Sequence, residues 1–183
     1  MLAGARVRAV KHSPPRSQSG LALAEQGVTS PPKASFARTR AERDWAKMFG
    51  MPAADLSADA RAGRETGAIF RTLQENPETT GGSLGFLGYS MRRDLSQGGT
   101  FDYQRDGFTR LSDYRNVSNF NVGLYSQQAG LSLDDTPRIA GAYGKYFSNN
   151  PEPRDSYGLT DDQRRFMKLG YRAGQRGGFG SSP

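Results

Sequence analysis

From Ala41 onward the apolar side chains come in short runs at helical spacing, each closed by glycine or proline. Trp45, Met48 and Phe49 lie on one side of a short helix over 42–49; Gly50 stops it and Pro52 prevents easy resumption. A second helix is expected from Ser57, acting as its cap, to Gln74. Ile69, Phe70 and Leu73 form its apolar edge, and Asn76-Pro77 ends it. Asn119 to Ala129 makes another, closed by Gly130 as a left-handed carboxyl cap. Thr136-Pro137 then supplies a capping hydroxyl followed by proline at the first helical position, and Ile139, Ala142, Tyr143 and Tyr146 form the stripe beyond it. Thr160 and Gln163 have capping-box spacing ahead of Phe166, Met167, Gly170 and Tyr171, with Gly174 as the stop. Residues 78–100, rich in Gly, Ser and Thr, read as an irregular loop or short strand pair anchored by Phe86, Leu87, Tyr89 and Met91.

This pattern predicts a mainly α fold: a compact helical domain with Gly-rich loops and at most minor β structure, behind a disordered basic leader. The leader spans residues 1–40, punctuated by Pro14-Pro15 and Pro31-Pro32. A helical and Gly-rich lead-in follows over 41–94, then a domain over 95–175, and a tail over 176–183 expected to fray. An apolar fraction of 35%, with 23 Gly and 10 Pro among 183 residues, limits how much of the chain can be core.

Charge sharpens the division. The formal net charge of +7 arises mostly in residues 1–40, which carry seven Lys or Arg against one acid. Such an arm attracts phosphates or acidic surfaces without sequence specificity. No run approaches the roughly 20 apolar residues of a membrane span, and the amino end lacks the apolar core of a secretory signal. There is no cysteine, which removes disulfides, thiolate metal sites and a Cys nucleophile. The one histidine, His12, lies in the leader, so catalysis in the folded part falls to Asp, Glu, Tyr, Lys, Arg, Asn or Ser.

Three clusters could supply that chemistry. Phe101-Asp102-Tyr103-Gln104 places a carboxylate beside a phenol just before a turn at Asp106-Gly107, where Asp102 could serve as a general base and Tyr103 as its partner. Asn119, Phe120, Asn121 and Gly123 set two amides around an aromatic, as an oxyanion or sugar site requires; alternatively Asn119 is a helix cap and Phe120 a core anchor. Tyr157-Gly158 leads to Asp161 and Asp162 in the first turn of the last helix, where acids also complement the helix dipole. Asp134-Asp135 reads as a turn and helix entry. Arg105, Arg115 and Lys145 are the cations placed to steady a phosphate, and Tyr157 is a further substrate-side candidate.

In order and spacing, these three segments resemble the polymorphic toxin type 44 family over roughly residues 95–175. The chain departs from the family pattern at Gln104, where the family has lysine, at Ser118, where it has glycine, and at Val122, where it has tyrosine. The resemblance implies a cytotoxic bacterial effector that kills after transfer into a target cell; the composition of the leader points to one made in the cytoplasm, exported without a signal peptide and carried by a secretion or injection machine. Residues 1–40 would be its packing signal and an immunity protein its natural partner. The resemblance also implies a hydrolase, with cleavage of RNA as the expected reaction. Paired carboxylates, Asp102 with Asp161 or Asp162, suit cell-wall glycan hydrolysis instead, or a metal-assisted phosphodiester cut. No organic cofactor and no dedicated metal ligands are expected, a divalent cation entering only with that last chemistry. A chain with a basic arm and few apolar residues also fits a non-enzymatic subunit of a large particle.

Overall fold

Helices carry the architecture that positions the site. The computed structural model describes residues 40–147 and 157–179. The expected disordered leader falls almost wholly outside them, as do His12 and the end of the tail. Six α-helices and one two-stranded hairpin are present among the described residues: α1 Arg40–Phe49, α2 Ser57–Glu75, α3 Thr80–Leu95, β1 Arg105–Asp106, β2 Thr109–Arg110, α4 Arg115–Gln128, α5 Asp135–Phe147 and α6 Asp161–Arg176. The strands pair antiparallel across a turn at Gly107, which holds φ +57°. The fold is mainly α with minor β, as the periodicity predicts.

The expected loop over 78–100 is instead largely the helix α3. Its four glycines, each worth up to about 1 kcal/mol against helix, conceal it in the sequence. What holds it is an inward face of Ser83, Leu87, Ser90, Met91 and Asp94, at spacings of three and four, that packs on α2. Of the glycines, Gly81, Gly82, Gly85 and Gly88 all look into open space.

Helix boundaries elsewhere follow the expected signals with four changes, the largest being that α4 begins at Arg115, four residues ahead of the expected Asn119. Ser57 is the first residue of α2 rather than its cap; its backbone N–H donates to the Asp55 carboxylate, and so does its hydroxyl. Ser132 accepts the Asp135 N–H and so caps α5, which starts one residue before the expected Thr136 cap, and Ala142 faces outward from its stripe. Gly174 does not stop α6, which runs to Arg176 and ends at Gly177 with φ +77°. The capping box at Thr160 and Gln163 is complete, and Gly130 closes α4 at φ +84°.

α4 is the central element. Val117, Phe120 and Leu124 join one core cluster with Leu56, Ala60 and Tyr103, while Tyr125 and Ala129 join a second with Phe70, Leu87 and Met91. Residues on either side of position 95 share both clusters. Two glycine seams bring the backbones close. Gly63 and Gly67 of α2 meet the Tyr125 and Ala129 carbonyls, while Gly123 of α4 and Gly170 of α6 face the Met167 and Phe120 carbonyls. A methyl group at either of the last two would sit far inside van der Waals contact. Phe179, in the tail expected to fray, is buried against Phe120, and its carbonyl accepts from Arg64 at 3.3 Å.

Candidate functional site

The segment 96–104 leaves α3 and turns back against α2 and α4, and one aspartate organises it. Asp102 accepts the Gly98 N–H at 2.8 Å through one carboxylate oxygen and the Gln104 N–H at 3.0 Å through the other; Arg105 lies 3.4 Å away. Both oxygens are thus occupied in shaping the turn, and the residue is almost wholly buried.

Tyr103 is sealed in the core. Its hydroxyl lies 2.8 Å from the Asp55 carbonyl and 2.8 Å from Oδ2 of Asp59, a residue with no exposed surface at all. Asn121 Nδ2 donates to Asp59 Oδ1 at 2.5 Å. The phenol has one proton and two acceptors. A neutral Asp59 would give each acceptor its own proton, the acid donating to the phenol oxygen while the phenol donates to the Asp55 carbonyl. Burial acts the same way, pushing the Asp59 carboxyl up to about 8 against the smaller opposing effect of its hydrogen bonds. Burial raises the Tyr103 phenol as well, followed by the charge Asp59 would carry if ionised. Two expected site residues, Tyr103 and Asn121, therefore meet on an aspartate the motifs did not mark. Out of reach of solvent, the three pin the 96–104 segment to α2 and α4.

A second buried network flanks the first. Asp94 receives two N–H groups of Arg93 at 2.8 and 2.9 Å and the Tyr125 hydroxyl at 2.7 Å, and Thr66 contacts that hydroxyl at 2.8 Å. Burial raises the Tyr125 phenol, and acceptance by Asp94 adds to the rise. Periodicity could have found both acids: Asp59 and Asp94 lie in register with the inward faces of α2 and α3.

Where α3, α4, α5 and α6 approach the 96–104 segment they leave a pocket of about 170 Å³. Its walls are apolar, from Met91, Leu95, Val122, Ile139, Leu159 and Met167. Its polar groups are mostly carboxamides: Gln97, Gln104, Asn119 and Gln163, with Ser96, Arg92 and Tyr143. Asn119 is not a cap but an interior residue of α4; it donates to the Arg115 carbonyl at 3.0 Å, which leaves its amide oxygen available. Gln163 accepts the Thr160 N–H at 2.9 Å and keeps its amide protons. Gln97 accepts from Arg105 at 3.0 Å. Among the described residues none that lines this pocket is acidic. Gln104 and Asn119, from two of the three marked segments, are the candidate residues the pocket unites.

The remaining candidates sit elsewhere. Asp161 and Asp162 are exposed at the start of α6, and Asp161 lies 3.6 Å from Arg164. Arg115 opens α4, Lys145 is exposed on α5, and Tyr157 is about two-fifths exposed where its carbonyl abuts Gly141. The outer face of α6 carries Arg164, Arg165, Lys168 and Arg172 around a shallow concavity whose one acid among the described residues is Asp161. At the hairpin tip Phe108 is wholly exposed, next but one to Arg110. Among the described residues no three His, Cys, Asp or Glu side chains are grouped to hold a metal, and no helix is long and apolar enough to cross a membrane.

No family model, curated protein or solved structure matches this chain.

Proposed function

We propose that this chain is a cytotoxic effector domain that acts on RNA as a hydrolase in the recipient cell. One observation carries the proposal: four cations projecting from one face of α6 with a single acid among them. Such a row tracks a phosphate backbone, because every cation that replaces a condensed counterion adds to affinity. The exposed Phe108 is a stacking platform of the kind single-stranded RNA uses. The resemblance of residues 95–175 to the type 44 toxins points the same way, and in that reading residues 1–40 are the delivery address and an immunity protein the natural antagonist. The glycan alternative is less favoured. The oxygens of Asp102 are already committed to two backbone amides and Arg105, an arrangement suited to holding a turn rather than passing a proton to a leaving sugar.

Induction of the chain in the bacterial cytoplasm tests this, with total RNA run alongside and a periplasm-directed version as control. The expected result is cytoplasmic growth arrest with cleaved RNA, relieved by Lys168→Glu with Arg172→Glu in a chain that still folds. Lysis confined to the periplasmic version would replace the proposal with wall hydrolysis. Harmless expression in both compartments would move it to a non-enzymatic subunit of a particle. Toxicity surviving in a folded Asp102→Asn chain would remove that carboxylate from the mechanism.

A further inference from the structure

We infer that the amide-lined pocket between α3, α4, α5 and α6 is a binding site for one unstacked nucleobase, with pyrimidines preferred. The inference rests on the proposed action on RNA, which it makes specific, and it stands on the volume, wall chemistry and hydrogen-bonding capacity of the pocket.

Volume comes first. A protein cavity of about 150 Å³ accepts one benzene-sized ring. At about 170 Å³ this pocket holds a single six-membered ring with its substituents and is too small for a whole nucleotide. Sugar and phosphate would stay outside, so a strand delivers the base by turning it out of the stack.

Wall chemistry then separates a base from a sugar of similar size. A pyranose carries hydroxyls around its whole rim, and those meeting Met91, Leu95, Val122, Ile139, Leu159 or Met167 would lose water without gaining a partner. A base has two apolar faces for such walls and confines its polar groups to its edge.

The edge is what the carboxamides can read. An Asn or Gln side chain presents a donor and an acceptor side by side and so pairs with a base edge in two hydrogen bonds. Gln104 is placed for this by Asp102, which holds its backbone N–H. Asn119 contributes an acceptor, and Gln163 contributes donors, because each has spent its other group on the backbone. Arg92 adds a donor-only group at the same wall. Among the described residues the lining holds one cation, Arg92, and no acid.

The pocket and the cation row occupy different sides of α6. Gln163 and Met167 face the pocket, whereas Arg165, Lys168 and Arg172 are turned away by roughly 100° to 180° of helix rotation. A strand using both crosses the helix rather than running along it, and base recognition should respond to substitution independently of phosphate binding.

The test uses the full chain, fluorescein-labelled single-stranded RNA octamers of uridine, cytidine or adenosine, and free uridine followed by saturation-transfer NMR. Variants are Gln104→Leu, which keeps size and removes the amide, and Ile139→Phe, which fills the pocket; circular dichroism verifies folding of each. Wild type is expected to bind the pyrimidine octamers about fivefold to tenfold more tightly than the adenosine octamer. Either variant should erase that preference and the uridine signal while keeping the salt-dependent binding shared by all octamers. Equal binding of all octamers by wild type, or an unchanged preference in both folded variants, overturns the base site and leaves action on RNA standing. Failure of wild type to bind any octamer at low salt overturns action on RNA. In that case a uridine signal lost in both variants still supports the pocket, and its absence in wild type overturns the pocket too.

Discussion

Replacing Asp59 by asparagine tests whether a neutral acid sits at the centre of the fold. Its carboxyl reaches Tyr103 and Asn121 with no exposed surface, and burial raises its proton affinity to that of a group titrating near pH 8, against 3.8 for a free side chain. Between those values the unfolded chain has released the proton and the folded chain keeps it. The unfolded state then binds fewer protons, so rising pH favours unfolding. The stabilisation from this group is complete below about pH 4 and is lost progressively until about pH 8, at no more than about 1.4 kcal/mol per pH unit. Asparagine copies the protonated acid: its oxygen accepts from Asn121 Nδ2, and its nitrogen donates to the Tyr103 oxygen. Asp59→Asn should therefore match wild type at about pH 4 and gain on it as pH rises, by up to about 4 kcal/mol between pH 5 and pH 8.

Urea unfolding followed through Trp45 measures this directly. It is the sole tryptophan of the chain, stacked on Phe49 at 5.2 Å and 6.1 Å from Phe120, so core loosening alters its emission. Titrating groups far from Asp59 are common to both chains and cancel in the difference. An ionised Asp59 predicts the opposite: asparagine would forfeit a charge-assisted hydrogen bond of about 2 kcal/mol at every pH. A stability difference that stays flat from pH 5 to pH 8, or a variant weaker throughout, refutes the neutral-acid assignment.

Three further outcomes follow from the packing. Gly123→Ala or Gly170→Ala drives a methyl into a carbonyl of the facing helix and should cost about 3 kcal/mol in urea unfolding, whereas Gly85→Ala, in open space on α3, should stabilise by about 0.5–1 kcal/mol. Tyr125→Phe deprives buried Asp94 of one of its donors and should cost about 1–3 kcal/mol, seen as a lower midpoint in the same assay. Thr160→Ala removes the side chain that accepts the Gln163 N–H and should cost about 1 kcal/mol; it should also loosen Gln163 at the pocket, measurable as faster amide exchange in the first turn of α6.

How much of this was legible in the sequence depends on which physical signal each part leaves there. Helices with caps, glycine stops and aromatic stripes announce themselves, and α1, α2, α4, α5 and α6 lie close to where the periodicity puts them. α3 does not, because its buried face mixes Ser83, Ser90 and Asp94 with Leu87 and Met91, and its exposed face mixes four glycines with Leu84 and Tyr89. A face read only for apolar residues loses a helix whose inward polar groups are satisfied by partners far away in the chain. Asp94 is 31 residues from Tyr125, and Asp59 is 62 residues from Asn121.

That same distance explains the division among the candidate site residues. Motif spacing selected polar residues near helix starts, and at Asp102, Tyr103 and Asn121 the fold spends them on its own backbone and core. What this expenditure secures is the position of the next residue along. Asp102 holds the Gln104 amide, Tyr103 fixes the segment on α2, and Asn121 locks the turn of α4 that also bears Asn119. Gln104 and Asn119 are thus brought to one pocket wall by neighbours with no access to it. On this account substitutions in the buried network should alter ligand preference through the position of Gln104 even where the chain remains folded. Tyr103→Phe is the sharpest instance. It removes the hydroxyl bridging Asp55 and Asp59 but keeps the ring in the core, so it should weaken the pyrimidine preference while leaving the charge-driven binding shared by all RNA octamers intact. A folded Tyr103→Phe chain with the full preference would mean that the Asp102 turn alone suffices to place Gln104.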